Sequence, residues 1–211
     1  MRITVLGAGR MGSWCAEKLC AGHDVAVYDR DREKPKYLKG VETLTTLERI
    51  GPFDTELLIN AVSPQNTISA FEEAAPYLPG NCVLSDVASI KGELSRYYAR
   101  SPRRFVSIHP MFGPTFGNVD VPEQQNLILI KESDREEAQL FRRFLAPFKL
   151  NIFEVSFAEH DRMMAYSLAL PFISSIAFAA CVDGDGITGT SFAGQMKTAG
   201  AFLGEDEELL A

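Results

Sequence analysis

Gly7-Ala8-Gly9-Arg10-Met11-Gly12 stands directly after the apolar run Ile3 to Leu6, and Asp29 follows Gly9 by about 20 residues. That spacing suits a turn carrying the pyrophosphate of a dinucleotide. Gly7 permits a sharp turn, Gly9 lets the backbone approach the phosphates, and Gly12 lets a helix pack closely on the strand. The helix N-terminus, with Ala8, Arg10 and Met11 around it, offers free N–H groups and a positive dipole. Asp29 is placed to accept hydrogen bonds from adenosine ribose hydroxyls, which favours NAD because a carboxylate repels the 2′-phosphate of NADP. Arg30 and Arg32 keep NADP open as an alternative; otherwise they belong to a solvated, mixed-charge loop.

A second group is Ser107-Ile108-His109-Pro110-Met111-Phe112-Gly113-Pro114. Here a histidine follows a strand, the two prolines stiffen the loop and Gly113 allows a tight turn. An imidazole takes or gives a proton near neutrality, and a rigid loop holds it where small displacements would cost rate. The alternative is a strand-end histidine that only hydrogen-bonds a carbonyl. Ser89, in Asp86-Val87-Ala88-Ser89-Ile90-Lys91, is placed to bind a substrate hydroxyl, to orient His109 or to cap the following helix, and Lys91 to neutralise a carboxylate.

Alternating elements must position these groups. Strands are expected over residues 2–6, 24–28, 56–62, 82–84, 105–108, 127–130 and 151–155, and helices over 11–21, 64–77, 91–100 and 134–147. This pattern predicts an α/β fold with a doubly wound, mostly parallel sheet. Asn60, Ala61 and Val62 then fall at the carboxyl end of a central strand, where such sheets bind ligands, and join the cofactor-binding set. The expected division is a dinucleotide-binding domain over 1–155 and a helical domain over 156–211.

From Met163 to Val182 no side chain is charged, a length that would suffice for a membrane span. Pro171, the serines Ser167, Ser174 and Ser175, and the flanking acids favour burial against protein, so no membrane is expected. A helix apolar all round needs covering helices. Residues 192–202 offer one, and 205–211 resemble the start of another without a stop signal, which reads as a truncated chain, a covering second subunit, or both.

Composition narrows the classes. A net charge of −7 argues against nucleic acid as a partner. Cys15, Cys20, Cys82 and Cys181 show neither metal-ligand nor disulfide spacing and read as reduced core residues of a cytoplasmic protein; no metal site is expected. No signal peptide is expected ahead of the first strand.

The glycine motif, the segment Asp86 to Lys91 and above all His109-Pro110-Met111-Phe112-Gly113-Pro114 resemble the prephenate dehydrogenase family of tyrosine biosynthesis. The resemblance runs across essentially the whole chain. It implies that Ser89 and His109 contact the substrate's ring hydroxyl, with Ser89 also beside the cofactor, and that the helical part forms a homodimer. The implied reaction is NAD-dependent oxidative decarboxylation of prephenate to 4-hydroxyphenylpyruvate, with arogenate, which would yield tyrosine, as the alternative substrate.

The chain also departs from that family. Ser167-Leu168-Ala169-Leu170-Pro171-Phe172 lacks the histidines many members carry there, and Phe192-Ala193-Gly194-Gln195-Met196-Lys197 offers Lys197 for the substrate carboxylate in place of an arginine; Gly113 is a further expected substrate contact. His160-Asp161 matches a family pair at the start of the long helix, and is otherwise a surface histidine beside a dipole-facing acid. Rival readings are a β-hydroxyacid or imine-type dehydrogenase, whose usual lysine is missing from the helix after Phe157, and a non-catalytic NAD-binding regulator.

Overall fold

A computed structural model of the chain describes residues 1–112, 125–182 and 189–203. Two compact units emerge, Met1–Phe157 and Ala158–Ala211.

In the first unit, apolar strands bounded by turn residues assemble an eight-stranded sheet. They are β1 (Arg2–Leu6), β2 (Asp24–Tyr28), β3 (Glu42–Thr43), β4 (Leu57–Asn60), β5 (Val83–Asp86), β6 (Phe105–Pro110), β7 (Asn126–Ile130) and β8 (Asn151–Val155). Their order is β3-β2-β1-β4-β5-β6-β7-β8. All pairs are parallel except β6 with β7. The near-continuous burial along β1, β4 and β5 is that of strands covered on both faces. The chain order reverses between β1 and β4, the position where doubly wound sheets open a crevice.

Helices α1 (Arg10–Leu19), α2 (Thr67–Ala74), α3 (Leu94–Arg100) and α4 (Arg135–Leu145) cover the sheet. Trp14 and Cys15 of α1 and Phe141 and Leu145 of α4 share a core with Val5, Val27, Ile59, Val106 and Leu129. On the opposite face Phe71 of α2 meets Tyr97 and Tyr98 of α3, and Tyr98 stacks on Phe105 with centroids 4.1 Å apart. Asp134 caps α4, its carboxylate accepting the Glu136 and Glu137 N–H groups.

Two sequence expectations need correction. The strand of His109 does not stop at Ile108: antiparallel pairing with β7 carries it to Pro110, and His109 lies opposite Ile128. The region 64–77 is one α-helical segment flanked by 3-10 turns at Pro64–Asn66 and Ala75–Tyr77. Proline at the start of each turn supplies a ready φ but no N–H for an α-helical bond.

In the second unit α5 (Phe157–Met164) passes through a π-helical turn, Ala165–Ala169, into α6 (Leu170–Cys181), and α7 (Thr190–Leu203) follows. Pro171 stands at the start of α6. The wider π turn precedes it, so the missing proline N–H and the ring are accommodated and the helix continues. Residues 157–181 are long and apolar enough to cross a membrane, with a mean hydropathy of 1.7 over the most apolar window. Tyr166, Leu170 and Ile173 are exposed along one stripe. The expected helix at 205–211 lies outside the described residues.

Candidate functional site

The glycine turn is built by contacts no other residue allows. Gly7 sits at φ +93°, and a Cβ there would come within 2.9 Å of the Ala61 carbonyl oxygen. A Cβ on Gly12 would lie 1.9 Å from the Gly7 carbonyl oxygen. The Gly7 N–H donates to the Tyr28 carbonyl, and Ser13 N–H and Oγ donate to the Gly9 and Ala8 carbonyls. Gly9 differs: a Cβ on it would meet no protein atom within 4 Å. It is the N-cap of α1, no side chain caps that end, and no acid lies in the first turn. Open space before uncapped N–H groups fits a pyrophosphate. Ala8 is buried, Arg10 is exposed, and Met11 packs against the core.

Asp29 follows β2. Its Oδ2 accepts the Ala8 N–H at 2.6 Å and its Oδ1 the Asp31 N–H at 2.8 Å, so the carboxylate is held against the glycine turn. Arg30 is exposed and pairs with Glu73 of α2 at 2.7 Å. At the exit of β4, Asn60 is buried. Its Nδ2 donates to the Thr67 carbonyl and its Oδ1 accepts the Val62 N–H. Asn60 therefore shapes the turn through Ala61 and Val62, which faces Gly7.

The carboxyl ends of β1, β4, β5 and β6 lie on one edge of the sheet. Ser89 follows β5 there, half-buried, and His109 is the penultimate residue of β6, buried. Ser89 does not cap α3, whose N-cap is Glu93. Asp86 and Ser107 are register partners, so Asp86 and His109 project from the same face of adjacent strands.

Lys91 occupies a place the sequence did not reveal. Rather than waiting for a ligand carboxylate, its ammonium is wholly buried, 2.6 Å from Asp86 Oδ1, and donates to the Ile108 carbonyl at 2.7 Å. Asp86 Oδ1 also accepts the Ala88 N–H at 3.1 Å, and the Tyr98 hydroxyl donates to Oδ2 at 2.8 Å. Burial, reinforced by the Asp86 charge, raises the Tyr98 phenol well above its ordinary value, keeping it protonated and donating. The strand-loop-helix pattern places Asp86, but nothing in it says that a lysine five residues on folds back inside.

Phe112, just past the histidine, meets Trp14 of α1 edge-on with centroids 5.2 Å apart. This contact ties the glycine-turn helix to the histidine loop, and was not foreseen. Gly113 lies outside the described residues. In the second unit Lys197 is exposed on α7. His160 is buried rather than on the surface, and its Nδ1 lies 2.9 Å from Asp161 Oδ1. Cys15 and Cys82 are buried as expected, whereas Cys181 is exposed.

Known proteins share this fold. The family described as "Prephenate dehydrogenase, nucleotide-binding domain" matches residues 16–152. The "Probable arogenate/prephenate dehydrogenase" of Methanocaldococcus jannaschii is 29% identical over 185 residues, 82% of this chain and 40% of that protein. The T-protein of Enterobacter agglomerans is 27% identical over 178 residues, 83% of this chain and 43% of that protein. The chain thus spans about two-fifths of the length of these relatives. The crystal structure of prephenate dehydrogenase from A. aeolicus in complex with hydroxyphenyl propionate and NAD+ shares the fold, with a TM-score of 0.80 at 18% identity over 100% of this chain and 84% of that one. With a doubly wound sheet and a family match over most of its length, this chain belongs to the prephenate dehydrogenase family, through its nucleotide-binding domain.

Proposed function

We propose that this chain carries the NAD-binding and proton-handling part of a dehydrogenase that oxidatively decarboxylates prephenate to 4-hydroxyphenylpyruvate. The observation that carries this reading is the convergence of the glycine turn, Ser89 and His109 on the same edge of one parallel sheet. Family membership supports it.

Bound NAD would supply the hydride acceptor. The α1 N-terminus and Gly9 would hold the pyrophosphate, Asp29 the adenosine ribose, and the turn Asn60-Ala61-Val62 the wall beside Gly7. Pairing of Arg30 with Glu73 supports NAD over NADP, since that guanidinium already faces a carboxylate. His109 would accept the proton of the ring hydroxyl as its carbon loses hydride, and Ser89 would hold the same hydroxyl in place. Carbon dioxide leaves as the ring becomes aromatic, so the protein has mainly to orient two reactants and move one proton.

Lys197 is the proposed contact for a substrate carboxylate, and Gly113 a further proposed substrate contact. A lysine keeps the charge of an arginine without its bidentate fork. The exposed apolar stripe of Tyr166, Leu170 and Ile173 supports a homodimer formed through the helical unit. The test is to incubate the purified protein with prephenate and with arogenate separately, following NADH or NADPH by absorbance. NADH formation with prephenate is expected. Turnover of arogenate alone would replace the substrate, and turnover of neither would overturn the reading.

A further inference from the structure

Asp86 is an unusual residue to find at the end of a central strand, because its whole carboxylate and the lysine that answers it are withdrawn from water. A buried ion pair is seldom the most stable filling for such a space, since well-packed apolar residues generally do as well. What a buried pair does supply is direction. Two of the pair's hydrogen bonds here end on backbone groups adjoining residues of the candidate site. Through the Ala88 N–H, Asp86 holds the turn whose next residue is Ser89. Through the Lys91 ammonium and the Ile108 carbonyl, it holds the strand end whose next residue is His109. Tyr98, stacked on Phe105 of the same strand β6, closes the arrangement by donating to the other carboxylate oxygen.

We propose that Asp86, acting with Lys91 and Tyr98, is a positioning residue that sets the placement of His109 relative to Ser89. This rests on the dehydrogenase reading above. Neither Asp86 nor Tyr98 touches the reacting atoms in this account. Their effect passes through one backbone group on each side, with the Lys91 ammonium bridging the Asp86 carboxylate and the Ile108 carbonyl.

Two variants test this in the full chain. Tyr98→Phe keeps the stacked ring and removes one donor to Asp86; Asp86→Asn with Lys91→Met removes both charges at nearly the same volume. With prephenate and NAD, kcat should fall about 10-fold in the first and about 100-fold in the second, the scale of a small misplacement of a reacting group. The Kd for NAD should change less than about twofold. The His109 imidazole resonances, identified among only three histidines by their loss in His109→Asn, should move in both variants without substrate.

Unchanged kcat in a folded variant overturns the proposal, including where the resonances have moved. Should the unaltered protein turn over neither prephenate nor arogenate, the dehydrogenase reading fails by itself. The resonances then decide the positioning claim: unmoved signals overturn it and moved signals uphold it. If the double variant does not fold, Tyr98→Phe carries the test alone.

Discussion

A Cβ placed on Gly12 would lie 1.9 Å from the carbonyl oxygen of Gly7, so the first turn of α1 and the end of β1 are in direct backbone contact. Gly9, midway between them, has open space where its Cβ would be. The glycines of one motif therefore do separable work. Gly12→Ala forces helix and strand apart and should cost about 3 kcal/mol or more, the upper range for overpacking against atoms that cannot yield. Gly9→Ala should cost no more than about 1 kcal/mol, the scale of an N-cap change, while weakening NAD binding about tenfold or more. Denaturant unfolding and NAD titration of both variants check this. Equal destabilisation by the two would contradict the assignment.

Asp29 should govern the choice of cofactor. Its carboxylate faces the glycine turn through the Ala8 N–H, and its charge opposes a 2′-phosphate. Asp29→Ser should lower kcat/KM for NAD relative to NADP about tenfold or more, equivalent to about 1.4 kcal/mol. Adding Glu73→Gln, which releases Arg30 from its partner, should move the ratio further toward NADP. A ratio unaffected by either change would remove Asp29 from the ribose site.

His109→Asn should reduce kcat about 100- to 10,000-fold, the usual range for loss of a general base. The affinity for NAD should hold, because the glycine turn lies on other strands. Lone Trp14, on the helix that follows the turn, is a natural fluorescent reporter for that measurement. A large loss of NAD binding would mean that His109 shapes the cofactor site instead.

Alkaline pH should unfold the protein by way of its buried thiols. Burial pushes Cys15 from 9.0 up to about 12, and Cys82 likewise to about 12, the latter against an opposing influence from Arg103. An acid whose folded value is raised binds its proton more tightly when folded. Its contribution is therefore fully present below pH 9 and is lost as pH climbs toward 12. Each thiol should steepen the fall by about 1.4 kcal/mol per pH unit in that window. Cys15→Ala with Cys82→Ala should flatten denaturant-derived stability between pH 9 and 11 relative to the unaltered chain.

Much of the first unit was legible in the sequence because its signals are local. The strands 2–6, 24–28 and 151–155 coincide with those found, since each is an apolar or β-branched run closed by a turn residue. The glycine turn was readable for the same reason: its conformational demands fall on residues a few positions apart. Where expectation and structure differ, a distant partner intervened. Pairing with β7 drew His109 into β6, and Ser89, a plausible cap by type, has Glu93 in that position instead.

Residue types and spacing by themselves determined the strand-glycine-helix unit, the acid after β2 and the presence of one histidine and one serine at strand ends, because short-range geometry leaves few other ways to satisfy those patterns. Only the tertiary structure decided where Lys91 points, what Arg30 pairs with, and that Trp14 meets Phe112. A charge or a ring chooses its partner by distance in space, and the sheet order that brings β1, β4, β5 and β6 side by side sets those distances across gaps of up to about a hundred residues that no local pattern spans.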